Sequence, residues 1–427
     1  MLSPFVALLL FFFIANDEVE IVSFEESAYL TNFYKDLHEN PEVSLQEEAT
    51  AGKLSQELEK VGYEVTRNFG GFGIVGILNN GDGPLVLYRT DIDALPMPEK
   101  TDLPYASTKT TQGANGTTGV MHSCGHDMHM TSWVGTARYM AANTDKWSGT
   151  LMFIGQPAEE IGQGAKMMLD AGLYDQFGVP DYGIGLHCNP TIPAGQIGIS
   201  EGYTMANTES IDITVKGIGA HGASPHMSID PVVVASMIVM DLHTIVSRNL
   251  KPTESAVITV GAIKGGTKHN IIPDEVGLQL TVRTYTEEVR QMVHKRIREI
   301  SRGVAIAAGL PEELMPIVHI PDVYTPANYN NPELTNHIIT TAKAAIGDDQ
   351  VVYAEPQMVG EDFARYGSTE HKVPTVLYWL GTVPDERLDM DNLPGLHSPY
   401  YYPDIEKTLK TAIKVNSEVM MGLMEKR

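Results

Sequence analysis

Between Met121 and His129 the chain reads Met-His-Ser-Cys-Gly-His-Asp-Met-His, which packs three histidines and a cysteine, four side chains suited to hold a metal, into nine residues. Cys124 and His126 stand two apart, so on an extended segment they fall on one side, and Gly125 between them lets the backbone come close to an ion. A thiolate beside an imidazole suits zinc and its divalent neighbours, and a thiolate needs such a positive influence nearby. A second group follows in Gln156-Pro157-Ala158-Glu159-Glu160. Pro157 and the paired carboxylates fit a helix start, where free N–H groups favour negative charge. Neighbouring helical residues point about 100° apart, so one carboxylate can bind a metal while the other faces the ion's water. Taken singly, a buried thiol or a capping carboxylate explains each residue; the cluster is what asks for metal chemistry.

The elements around these groups read as an α/β chain. Ser23 to Glu39 and Ser44 to Val61 carry helical periodicity, broken at Asn40-Pro41 and stopped at Gly62. Short strands are predicted at Tyr63–Thr66, Gly73–Leu78 and Pro84–Arg89, the last running into Asp91-Ile-Asp93 at the sheet edge where functional groups gather in open α/β folds. Met97 to Thr118, rich in Pro, Thr, Gly and Lys, reads as a loop that delivers the chain to Cys124, and Asp127 as the cap of a helix over Met128–Ala142. Gly149–Gly155 is a strand leading into Glu159-Glu160 and a helix to Ala171, and Tyr182–Leu186 is a strand ending in His187, a third candidate ligand. From about Thr204 the pattern becomes strand, helix, strand, strand, helix, strand, closed by Met315–His319: a compact α+β insert of ferredoxin-like order. The expected organisation is 24–205 and 323–427 as one catalytic domain with a mixed central sheet flanked by helices, interrupted by 206–322.

Composition sets the outer bounds. A chain of 427 residues exceeds what one core usually organises. Thirty basic against 54 acidic residues, a formal charge of −24, repels phosphates and argues against nucleic-acid or anionic-membrane partners. The two cysteines, Cys124 and Cys188, each lie beside a histidine and are read as thiols, Cys188 in a packing role. The apolar run Phe5–Ala15 has the length of a secretory leader and is too short to span a bilayer, though no Lys or Arg precedes it and the cleavage site is poor. Residues 1–15 are therefore a candidate signal peptide, with a periplasmic or secreted protein expected and a cytoplasmic one as the alternative.

The motifs Arg89-Thr-Asp-Ile-Asp-Ala-Leu-Pro96, Met121-His-Ser-Cys-Gly-His-Asp127, Gln156-Pro-Ala-Glu-Glu160, Gly185-Leu-His187, Gly219-Ala-His-Gly-Ala-Ser-Pro-His226, His269-Asn-Ile-Ile-Pro-Asp274, Gly360-Glu-Asp-Phe363 and Gly395-Leu-His397 occur in one order along residues 24–425. In these the chain resembles the M20 metallopeptidases, in the subgroup of aminoacylase, hippurate hydrolase and auxin-conjugate hydrolase type amidohydrolases. The resemblance implies two divalent ions per chain, Mn²⁺ or Zn²⁺, with Cys124 bridging and His126, Glu160, His187 and His397 as the other ligands. It implies Glu159 as general base, Asp91, Glu361 and Asp362 as supports of the site, and His221 as donor to the developing oxyanion. Asn270 and Arg283 match residues that hold the substrate carboxylate, and the insert matches a lid and dimerisation domain, implying a homodimer. Where other branches carry His-x-Asp this chain has Arg89-Thr-Asp91, so that histidine ligand is missing and Cys-x-His stands instead. The expected reaction is hydrolysis of an N-acyl-amino acid to a carboxylic acid and a free amino acid. A dipeptidase or carbamoylase with the same metals, an amidase with Cys124 as nucleophile, and a binding protein on a degenerate fold are the rivals.

Overall fold

Alternation along the central strands decides the architecture. In the computed structural model, which describes residues 23–113 and 116–426, Leu151 and Phe153 of the strand Thr150–Gln156 enter one core while Met152 and Ile154 enter another. Val86 and Tyr88 part from Leu87 on Leu85–Asp91 in the same way, as do Val376 and Tyr378 from Leu377 on Thr375–Val383. With successive side chains on opposite faces, such strands need cover on both sides, which is why they read as continuous apolar runs. Helices Phe24–Glu39, Glu48–Lys60, His126–Ala142, Pro332–Ile346 and Ile405–Leu423 cover one face. The shorter helices Gly164–Asp170, Leu173–Phe177 and Ala364–Ser368 cover the other.

The sheet has eight strands, in the order Glu64–Thr66, Ile74–Asn79, Thr150–Gln156, Leu85–Asp91, Tyr182–Pro193, Thr375–Val383, Ile197–Ile199 and Val351–Tyr353. Its middle is parallel and both flanks contain antiparallel pairs, so it is mixed. Between Glu209 and His319 lies a separate four-stranded antiparallel sheet, ordered Ala256–Gly265, Glu275–Thr284, Glu209–Lys216, Ile317–His319, the ferredoxin-like arrangement. Its helices Pro231–Thr244 and Glu287–Ala307 close a core of their own with Ile211, Ile213, Val215, Ile238 and Ile297. The Thr284 N–H donates to Asn207 Oδ1 at 3.0 Å, pinning the end of the Glu275–Thr284 strand where this sheet meets the larger domain.

Some local expectations do not hold. The Met97–Thr118 stretch, expected as a loop, contains two short antiparallel strands, Thr110–Gly113 against Gly116–Gly119. The second helix begins at Glu48 rather than Ser44. The candidate signal peptide at 1–15 lies outside the described residues.

Candidate metal centre

The site forms beyond the carboxyl ends of the parallel strands, where a cavity of about 710 Å³ is lined by Cys124, Glu159, Glu160, His187, Glu361 and His397 among others. Each side chain arrives on a backbone bent to present it. Cys124 and His126 are not alternate residues of a strand, as expected above; Gly125 between them is left-handed at φ 81° and caps the helix that His126 begins. A Cβ on Gly125 would lie 2.9 Å from the Cβ and Sγ of Cys188, so the turn and the close approach both require glycine. Asp127 is accordingly not the cap; it sits in the first turn, 2.6 Å from His38 Nδ1. Glu159 and Glu160 do not open a helix either. They occupy a turn after Ala158, itself left-handed at φ 53°, and the helix starts at Gly164. His187 lies inside Tyr182–Pro193 rather than at its end, but the neighbouring Leu85–Asp91 strand pairs only as far as Gly185, so His187 emerges at the sheet's working edge. Alternation turns His187 and Asn189 to the cavity and buries Cys188 in the opposite core. His397, left-handed at φ 60°, is held by its N–H donating to Ser123 O at 2.9 Å.

Cys124 Sγ lies 3.5 Å from His187 Nε2 and 3.3 Å from His397 Nε2, and His397 Nε2 lies 3.4 Å from Glu160 Oε2. His126 Nε2 lies 3.8 Å from Glu160 Oε1 and 3.9 Å from Glu159 Oε2. His126 Nδ1 donates to Asp93 O at 2.8 Å and His187 Nδ1 to Cys188 O at 2.9 Å, so both rings turn an Nε2 lone pair into the shared space. His126 Nε2 and Glu160 Oε1 are buried without a partner. Two buried acceptors facing one another without a donor call for a cation between them. Burial, then Glu160 and Glu159, push the Cys124 thiol well up, and burial, Glu361 and Glu160 push the Glu159 carboxyl up. These are the costs that divalent cations remove, and a thiol, imidazoles and a carboxylate are a donor set such ions accept.

Residues 87–422 match the profile of Peptidase family M20/M25/M40. The chain belongs to this family. It is 36% identical to the N-acetylcysteine deacetylase of Bacillus subtilis, over 93% of this chain and 97% of that one. It is also 36% identical to the hippurate hydrolase of Campylobacter jejuni, over 77% and 82% of the two chains. A crystal structure of a dinuclear metal-binding peptidase of family M20 from Bacillus subtilis superposes with a TM-score of 0.76 at 32% identity, covering 92% of this chain and 97% of that one. The chain is thus a metal-dependent hydrolase of amide C–N bonds, in the amidohydrolase subgroup.

In this M20 enzyme the ligand cluster rests on a buried ionic frame. Arg89 donates to Asp91 Oδ2 at 2.7 Å, Glu361 Oε1 at 2.8 Å and Gln156 Oε1 at 2.9 Å. Burial opposes the Arg89 charge, but Glu361, Asp91 and Asp362 hold the guanidinium well above its ordinary range. Removing one member of such a set strands the others without solvent, at a cost of about 3–5 kcal/mol. Asp362 adds bonds from Gln156 Nε2 at 2.6 Å and the Ala165 N–H at 2.9 Å, and so ties two neighbouring segments to the frame. His129 belongs to the frame as well: Nδ1 donates to Asp91 Oδ1 at 2.7 Å and Nε2 accepts the Cys188 N–H at 2.8 Å, so neither nitrogen is left for an ion. His122 is buried with both nitrogens unpartnered, its pKa pushed down to about 4 by burial; nothing in the structure explains it.

Arg283 reaches the cavity of the M20 enzyme from the inserted domain, donating to Thr208 Oγ1, and among the described residues no carboxylate pairs with it. His221 and Asn270 do not reach this cavity. They are exposed on neighbouring segments of the insert, joined by the Gly222 N–H donating to Asn270 O at 2.8 Å. Asp93, noted in the sequence only as part of Asp91-Ile-Asp93, has a definite task, since its Oδ2 accepts the Glu160 N–H at 3.0 Å, and Trp379, unnoticed there, packs edge-on against His187. Asp93 had a signal, two residues beyond Asp91 at the strand's end; Trp379 had none.

Proposed function

We propose that this M20 enzyme cleaves N-acyl-amino acids to a carboxylic acid and a free amino acid. The observation that carries the reading is one cavity that joins the Cys124, Glu160, His187, His397 cluster and the buried Glu159 to the guanidinium of Arg283, with which no carboxylate among the described residues pairs. The similarity to a deacetylase and a hippurate hydrolase supports it.

Cys124, His126, Glu160, His187 and His397 would hold two divalent ions, Mn²⁺ or Zn²⁺, which supply electrophilic pull on the amide carbonyl and lower the pKa of water. Glu159, a buried carboxylate lining the cavity beside the cluster, would accept the water's proton and return it to the leaving amine. Arg283 pairs with the α-carboxylate of the amino-acid part, a planar fork for a planar anion. Hydrolysis of a panel of N-acetyl, N-benzoyl and indole-acetyl amino acids, beside dipeptides and N-carbamoyl amino acids, is expected to favour the first group. Activity should vanish on chelation and return with metal, and elemental analysis would identify the native ion. Arg283→Ala is expected to raise KM about 10- to 100-fold with kcat little changed. Activity indifferent to chelation would sink the reading and make Cys124 the suspect nucleophile.

His221, as oxyanion donor, and Asn270 would act across a homodimer. The helix Pro231–Thr244 supports this. It buries Val234, Ala235, Ile238 and Leu242 yet exposes Val233, Met237 and Met240, the last 71% accessible, in one stripe at helical spacing. With its continuation to Asn249 it is long and apolar enough to span a membrane, but a third of it is buried in the domain. Met240→Glu is expected to yield monomers by sedimentation and to lower kcat about 10²-fold, the effect of losing one oxyanion donor. A monomeric variant with full activity would rule out action across subunits. Export to the periplasm or medium is proposed from the apolar run Phe5–Ala15; N-terminal sequencing of the mature protein tests it.

A further inference from the structure

Glu47 is a fully buried carboxylate that no step above uses. It precedes the helix Glu48–Lys60, more than a hundred residues before the catalytic glutamates. Its Oε1 accepts two backbone N–H groups, from Ala158 at 2.8 Å and from Leu45 at 2.9 Å. Both donors are non-glycine residues in the left-handed region, at φ 53° and 67°. L side chains adopt that conformation rarely, and it persists where neighbours hold it. Ala158 immediately precedes Glu159 and Glu160. On the far side of Glu159, the Glu160 N–H donates to Asp93 Oδ2, which also accepts Ser44 Oγ at 2.6 Å. The N–H groups on either side of Glu159 are therefore held by two buried carboxylates, and both carboxylates belong to or touch the segment 42–47. That segment is itself joined to the Asp93 stretch, since the Ala94 N–H donates to Glu42 O at 2.8 Å.

We propose that Glu47 is a positioning residue: by accepting the Ala158 N–H it maintains the left-handed turn that aims Glu159 and Glu160 at the reacting atoms. The inference rests on the roles given to those two glutamates above. Because one oxygen accepts both N–H groups, the carboxylate charge is dispensable. Glutamine presents the same acceptor, aspartate is one methylene too short, and alanine offers none. Glycine at 158 adopts a positive φ without steric cost and lessens the need for the clamp.

The test uses the full-length, metal-loaded enzyme and an acyl-amino acid that the wild type hydrolyses, with kcat, KM, metal content and amide hydrogen exchange over residues 156–164 as readouts. Glu47→Ala is expected to lower kcat about 10²-fold, the scale of a misplaced catalytic group, with KM little changed and exchange at the Ala158 amide accelerated. Glu47→Gln should stay near wild type, and Ala158→Gly added to Glu47→Ala should restore part of the lost kcat. If Glu47→Ala does not fold, Glu47→Asp, alone and with Ala158→Gly, carries the same comparison. Unchanged exchange at Ala158, or a Glu47→Gln variant as impaired as Glu47→Ala, would overturn the clamp; faster exchange with unaltered kcat would overturn its bearing on catalysis. Failure of the parent reading looks different: the wild type itself would hydrolyse no acyl-amino acid, while exchange at Ala158 would still answer to Glu47.

Discussion

Glu159→Gln is expected to lower kcat by about 10³-fold or more while the enzyme keeps its metals and its KM. The substitution preserves the size of a buried side chain and removes only the ability to accept a proton. Glu159 lies close to the ligand cluster without being bonded into it, buried and 3.9 Å from His126 Nε2. A group so placed can hold a proton between attack and departure of the amine. Glu160 differs, because its Oε2 is 3.4 Å from His397 Nε2 and its N–H is held by Asp93. Glu160→Gln is therefore expected to lose metal along with activity. Steady-state kinetics paired with elemental analysis separates the two, and a fully active Glu159→Gln enzyme would remove the general base from the mechanism.

Cys124→Ala should abolish measurable hydrolysis and lower the metal content from about two ions per chain. Cys124 Sγ is the atom that both His187 and His397 approach, at 3.5 and 3.3 Å, and it stands at the meeting point of two candidate ligand groups, one with His126 and His187 and one with Glu160 and His397. Deleting it breaks both groups at once. Cys124→Ser, which keeps a small oxygen donor, is expected to retain more metal than Cys124→Ala. A nucleophilic cysteine predicts instead that turnover is lost while metal content stays at whatever the wild type shows, so the change in metal content decides between them.

Much of the fold was legible because its signals are local. Strand alternation, the apolar runs of the parallel strands and the 3.6-residue pattern of the helices are set by neighbours a few positions away. The strand pair Thr110–Gly113 and Gly116–Gly119 is an exception, because the Pro and Thr content around it suggests a loop.

The site divides differently. The sequence by itself determined the chemistry on offer: a thiol, histidines and paired glutamates in a known order, on an acidic chain whose charge argues against nucleic-acid partners. Only the tertiary structure decided how they are used. The left-handed backbone at Ala158 and His397, the tautomer of His126, the engagement of both His129 nitrogens and the burial of Arg89 against Glu361 and Asp362 all depend on partners far away in the chain. Arg89 and Glu361 are 272 residues apart, and no local pattern carries such a contact. The same holds for His221, whose motif is plain in the sequence, yet the cavity lies beyond its reach within one chain because the sheet that bears it turns it to the surface.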